Sequence, residues 1–83
     1  MIARDDWRLQ GQDWLREEFL RFQAYRPPHP GSEHDHCEFC WLPFKTRPGD
    51  GVANEGWVTS DQRWICEGCY EDFKLMFDWM VEI

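Results

Sequence analysis

The chain has 83 residues and carries nine Lys and Arg against sixteen Asp and Glu, a formal charge of −7. That is room for one domain, residues 1–83, and at this size an apolar core alone rarely supplies more than about 3–5 kcal/mol, so a staple is needed. The charge argues against nucleic-acid binding by phosphate neutralisation, because Arg4, Arg8, Arg16, Arg21, Arg26, Lys45, Arg47, Arg63 and Lys74 are scattered and form no basic block. A membrane-spanning helix is excluded as well. The longest apolar stretch of note, Phe39-Cys40-Trp41-Leu42, is ended by Pro43 far short of the roughly 18 residues a span requires.

In chain order, Trp7, Trp14, Leu15, Phe19 and Phe22 recur at roughly helical spacing, which predicts an amphipathic helix over residues 5–25 capped by Asp5 or Asp6. Gly11 inside that pattern costs about 1 kcal/mol relative to alanine. Arg26-Pro27-Pro28-His29-Pro30-Gly31-Ser32 ends it, since proline restricts its predecessor and offers no N–H, so residues 26–36 read as a linker. Thr46 to Gly56 is dense in turn formers and is expected to be exposed and mobile. Trp57-Val58-Thr59 and Arg63-Trp64-Ile65 flank Ser60-Asp61-Gln62 and predict a short hairpin. Two short strands are marginal in water and need backing. A helix from about Glu67 to Val81 can provide it: projection at about 100° per residue puts Cys69, Phe73, Met76 and Met80 on a core face and Glu67, Glu71, Asp78 and Glu82 opposite. Early acids complement the helix dipole, whereas Asp78 and Glu82 near its C-terminus do not, which makes them better suited to meeting a partner.

The most specific chemical signal is Cys37-x-x-Cys40 and Cys66-x-x-Cys69, with twenty-five residues between the pairs. Thiolates three positions apart can both reach one tetrahedral ion at about 2.3 Å, and two such pairs complete the shell of one structural Zn²⁺. A pair of disulfides is the main rival. The sequence begins Met1-Ile2-Ala3-Arg4-Asp5-Asp6, without the apolar region of a secretory signal, so the expectation is a reducing cytoplasm and metal-bound cysteines. A redox pair would need an alternating strand and helix pattern that so short a chain cannot supply. Four ligating thiolates around one Zn²⁺ bring the charge to about −9. Excess acid serves solubility, and it also attracts a basic partner.

Knuckle, hairpin, and a helix with the second cysteine pair at its N-terminus resembles a treble-clef zinc finger over Cys37 to Val81. The resemblance implies a zinc module at residues 37–81 made of knuckle, short hairpin and C-terminal helix; with the N-terminal helix expected from spacing, the fold class is a small α+β domain. His34-Asp35-His36-Cys37-Glu38-Phe39-Cys40-Trp41, Gly56-Trp57-Val58-Thr59 and Trp64-Ile65-Cys66-Glu67-Gly68-Cys69-Tyr70-Glu71-Asp72-Phe73-Lys74 resemble, in addition, a group of small bacterial proteins that begin with a tryptophan-containing helix. Small acidic proteins of this kind look like immunity proteins, which bind and block a toxin.

Catalysis at the metal is not expected, because a catalytic zinc keeps an open position and four cysteines close the shell. His34 and His36 invite comparison with an HNH-like treble-clef nuclease, yet no histidine follows His36 to complete such a site. Either could pack around the metal or replace one cysteine. The functional expectation is a non-catalytic, zinc-containing module that binds a basic protein through Glu71, Leu75, Asp78, Trp79 and Glu82, with Trp79 an aromatic anchor in a charged rim. A nucleic-acid-associated finger or a nuclease is the alternative. If the first helix covers that side, Leu75 and Trp79 are ordinary core.

Overall fold

The computed structural model describes residues 6–26, 35–47 and 49–81. Along the chain run a 3-10 turn (Gln12–Leu15), β1 (Phe19–Ala24), β2 (Asp35–His36), β3 (Pro43–Phe44), β4 (Glu55–Val58), β5 (Trp64–Ile65), α1 (Glu67–Phe77) and β6 (Met80–Val81). One sheet has the order β5-β4-β1-β6, and β2 pairs with β3 in a second. Among the described residues, no helix is long and apolar enough to cross a membrane.

The helix expected over residues 5–25 is not formed; a single 3-10 turn and a strand take its place. Gly11 at φ 89° and Glu17 at φ 62° are both left-handed, and a right-handed helix cannot run through either. Beyond Glu17, Phe19 and Phe22 are aromatic side chains suited to a pleated surface. β1 lies antiparallel on β4, with Phe22 opposite Trp57 and Arg21 opposite Val58, and parallel to β6, with Leu20 opposite Val81. The edge of β4 supplies backbone partners over four residue pairs, and Leu20 becomes fully buried. Those gains are tertiary, and they override the spacing of the aromatic residues.

The hairpin forms where expected, although β4 begins at Glu55: Trp57 pairs with Ile65 and Val58 with Trp64. The segment before it is less free than its composition suggests. Ala53 bridges Phe44, and its N–H donates to the Pro43 carbonyl at 2.8 Å. Gly56 is buried, and a Cβ there would stand 2.7 Å from Phe44 Cε2 and 2.9 Å from the Ile65 carbonyl oxygen, so only glycine lets β4 approach this closely. Of the proposed linker, residues 27–34 lie outside the described residues, but Asp35 and His36 are strand.

The last helix stops four residues earlier than expected, at Phe77. Asp78 takes φ 52° and its N–H closes on the Lys74 carbonyl, a left-handed C-cap that turns the chain back toward β1. The core face therefore consists of Cys69, Phe73 and Phe77; Met76 is half-buried and Met80, now on β6, is exposed. The single core joins these to Leu15, Leu20, Tyr25, Phe39, Phe44, Val58, Trp64 and Ile65. Phe39 is its hub, stacked on Phe73 at 4.7 Å and edge-on to Phe77 at 5.3 Å between ring centroids. Phe39 lies between Cys37 and Cys40, so the cysteine turn carries its own anchor into the core.

Candidate metal centre

The first cysteine pair sits on the tip of the β2–β3 hairpin. Asp35 pairs with Phe44 and His36 with Pro43, after which Cys37 N–H donates to the Leu42 carbonyl at 2.8 Å and Trp41 N–H to the Cys37 carbonyl at 3.2 Å. Trp41 has φ 68°, a strained value for a bulky residue that the tight turn imposes. Glu38 N–H donates to the Trp64 carbonyl at 2.9 Å, which ties this tip to β5. β5 leads directly into Cys66, the N-cap of α1, whose sulfur accepts from the Cys69 N–H. A sulfur thus does the work that Ser or Asp does at many helix starts.

These two tips bring all four sulfurs within 4.8 Å of one another. Cys40 Sγ and Cys66 Sγ are 3.6 Å apart, and all four cysteines are free. A tetrahedron with Zn–S bonds of about 2.3 Å has edges of about 3.8 Å, so the spacing fits an ion between the sulfurs and is far too long for an S–S bond of about 2.05 Å. Cys37, Cys66 and Cys69 are buried and Cys40 is half-buried. The donor set is arranged for a metal ion, and tetrahedral sulfur coordination matches zinc.

The thiols interact strongly with one another. Hydrogen bonds from the Cys66 thiol and then the Cys69 thiol hold Cys37 far below the ordinary thiol range, helped by backbone N–H groups. The Phe39 and Cys66 N–H groups both point at its sulfur, each at 3.4 Å. Donation to Cys37 in turn raises Cys69, as does its bond with Cys66 and its burial. One anion can be accommodated among the sulfurs and further ones are opposed. A dication removes that opposition by replacing the shared protons, which makes ion binding and thiol deprotonation one event.

Around the sulfurs lie groups that no sequence motif singles out. Arg8 Nη1 donates to Cys69 Sγ at 3.5 Å and to Asp72 Oδ2 at 2.9 Å. Its Nε and Nη2 bind the two Asp6 oxygens at 2.9 and 3.0 Å. Buried Gln12 donates to the Arg8 carbonyl at 2.8 Å and the Glu38 carbonyl at 2.9 Å, stitching the N-terminal segment to the cysteine turn. Glu38 is half-buried; burial raises its carboxyl above the ordinary value, with Arg63 acting in the opposite sense. No local pattern announces Arg8: it precedes Cys69 by 61 residues and Asp72 by 64.

His36 stands on β2 near the Trp41 ring, 6.4 Å between centroids, and is not among the four clustered ligands. His34 lies outside the described residues, as does Glu82. Of the expected partner-facing residues, Leu75 is 86% exposed and Asp78 is exposed at the helix end. Glu71 is exposed and accepts from Lys74 Nζ at 2.8 Å. Trp79 is half-buried, stacked on Phe77 at 5.3 Å and Tyr70 at 5.8 Å, with its indole N–H on the Leu15 carbonyl at 2.8 Å.

No protein-family model, curated protein or solved structure matches the chain.

Proposed function

We propose that this chain is a non-catalytic, zinc-stapled protein-binding module of treble-clef type, an inhibitor or immunity-type protein for a basic partner such as a bacterial toxin. Supporting the treble-clef reading is the order of parts: a cysteine turn, the β4–β5 hairpin, and α1 with the second pair at its start. Four sulfurs around one Zn²⁺ leave no position for water or substrate, so the ion's part is structural. The observation that carries the binding role is Leu75, a large apolar side chain left 86% exposed on α1. Glu71 lies one turn before it on the same face, and Asp78 caps the helix three residues beyond it. An apolar group in an acidic rim suits a partner that brings an apolar pocket edged with Lys or Arg. Trp79, half-buried against Tyr70 and Phe77, and Glu82 further along the sequence complete the proposed partner-binding set.

The test is isolation of the native protein with its bound partner, and then association kinetics of the pair at rising salt. The association rate should fall several-fold as screening increases. Leu75→Ala should weaken affinity about tenfold or more, as at a central interface residue, and the charge reversals Glu71→Lys and Asp78→Lys should mainly slow association. Unchanged affinity in all three variants would remove this face from the binding role.

A further inference from the structure

We propose that Arg8 is a positioning residue of the metal centre, a hydrogen-bond donor outside the sulfurs that damps the nucleophilicity of the Cys69 thiolate and helps retain the ion. Its role presupposes that the four cysteines hold zinc. Four thiolates and one dication leave two negative charges in a largely buried site, and charge of that kind needs N–H donors or a cation close by. Cys37 receives the backbone N–H groups of Phe39 and Cys66, and Cys66 receives that of Cys69. Among the described residues, Cys69 receives a side-chain donor, Arg8 Nη1 at 3.5 Å.

The guanidinium is held in place for that task from several sides. Asp6 takes Nε and Nη2, Asp72 shares Nη1, and the guanidinium carbon lies 4.6 Å from the centre of the Phe73 ring. The side chain is only 14% exposed. A planar fork can satisfy Asp6, Asp72 and a sulfur together, which a lysine ammonium on a flexible stem does less well. Because Asp6 and Asp72 offset the charge of Arg8, its effect on Cys69 comes from the directed N–H rather than from net charge. Outer donors of this kind commonly alter metal retention by about 10–100-fold.

The experiment uses the full chain loaded with Co²⁺ for spectroscopy and with Zn²⁺ for reactivity, comparing wild type, Arg8→Met and Asp72→Asn. Arg8→Met keeps an apolar stem over Phe73 and removes the donor. Its sulfur-to-cobalt charge-transfer band should move to lower energy, because the sulfur lone pair loses its N–H. Alkylation of the zinc-loaded protein by iodoacetamide, in which sulfur bonds to carbon and iodide leaves, should accelerate at least threefold, with the added mass on Cys69. Asp72→Asn breaks the ion pair but leaves the N–H on sulfur, so its band and alkylation rate should stay at the wild-type values. The near-ultraviolet tryptophan signal checks folding; if Arg8→Met does not fold, Arg8→Leu, which also lacks an N–H, is read by the same criteria. An unshifted band with an unchanged alkylation rate overturns the proposal, as does Asp72→Asn behaving like Arg8→Met. Wild type that takes up no cobalt would instead overturn the metal centre itself.

Discussion

The segment from Asp6 to Ala24 and the module from Cys37 to Phe77 are stabilised in opposite ways. In the module, short-range rules fix the geometry: cysteines three apart, a tight turn between strands, a sulfur capping a helix. The N-terminal segment takes its form from what it meets. Gln12 reaches the Glu38 carbonyl, the Arg16 guanidinium the Met76 carbonyl at 2.6 Å, and the Glu17 N–H the Phe77 carbonyl at 2.8 Å, while β1 completes a sheet between β4 and β6. A short chain with little core can thus anchor one part on a metal and let the rest fold as a cover for it. The cover then contributes to the centre in return, since Gln12 and Arg8 both bond to the elements that hold the sulfurs.

Removal of the metal tests that division most severely. Structural zinc contributes about 10–16 kcal/mol in zinc-finger peptides, more than a domain of this size holds in reserve. A strong chelator, or Cys66→Ser, should abolish cooperative thermal unfolding and the near-ultraviolet tryptophan signal. Serine can still cap α1, so collapse of that variant isolates the loss of the ligand. A metal-free protein that melts cooperatively would shift the anchoring role from the ion to the aromatic core around Phe39.

A smaller effect should come from Leu20→Ala in β1, where the leucine is fully buried. Truncation there should cost about 2–5 kcal/mol, measured as a lowered urea midpoint in metal-loaded protein. Hydrogen exchange should locate the damage, with β1 amides opening faster while those of α1 stay protected and the metal stays bound. Equal loss of protection in both would mean that the two regions fold as one unit, with no division between anchor and cover.

The same contrast decides what is legible in the sequence. Each cysteine pair, the hairpin and the start of α1 depend on neighbours close in sequence, and each stands where the motif or the turn residues put it; the meeting of the two pairs is long-range and is legible only because one tetrahedral ion calls for four ligands. β1 depends on an edge more than thirty residues downstream, and Trp7, Trp14, Leu15, Phe19 and Phe22 fit a helical stripe only while that edge is out of view. The C-terminus of α1 escapes a local reading for a related reason: Asp78 adopts a left-handed cap that favours Gly or Asn, and β6 exists because β1 is there to receive it. Arg8 is invisible to any motif because its bond to Cys69 joins opposite ends of the chain.

The finest test concerns Glu17, whose φ of 62° turns the chain from the 3-10 segment into β1. The side chain is exposed, so substitution there reports on backbone conformation more than on packing. In the left-handed region a Cβ costs about 1–2 kcal/mol, and Gly escapes that penalty at the expense of greater freedom when unfolded. Glu17→Gly should therefore be more stable than Glu17→Ala by about 1 kcal/mol, read from urea midpoints under metal-loaded conditions. A continuous helix through residue 17 reverses the sign, since there alanine is favoured over glycine by about the same amount. Alanine proving the better residue would restore the helical stripe at this position, whereas glycine proving better supports the left-handed turn at residue 17 that leads the chain into β1.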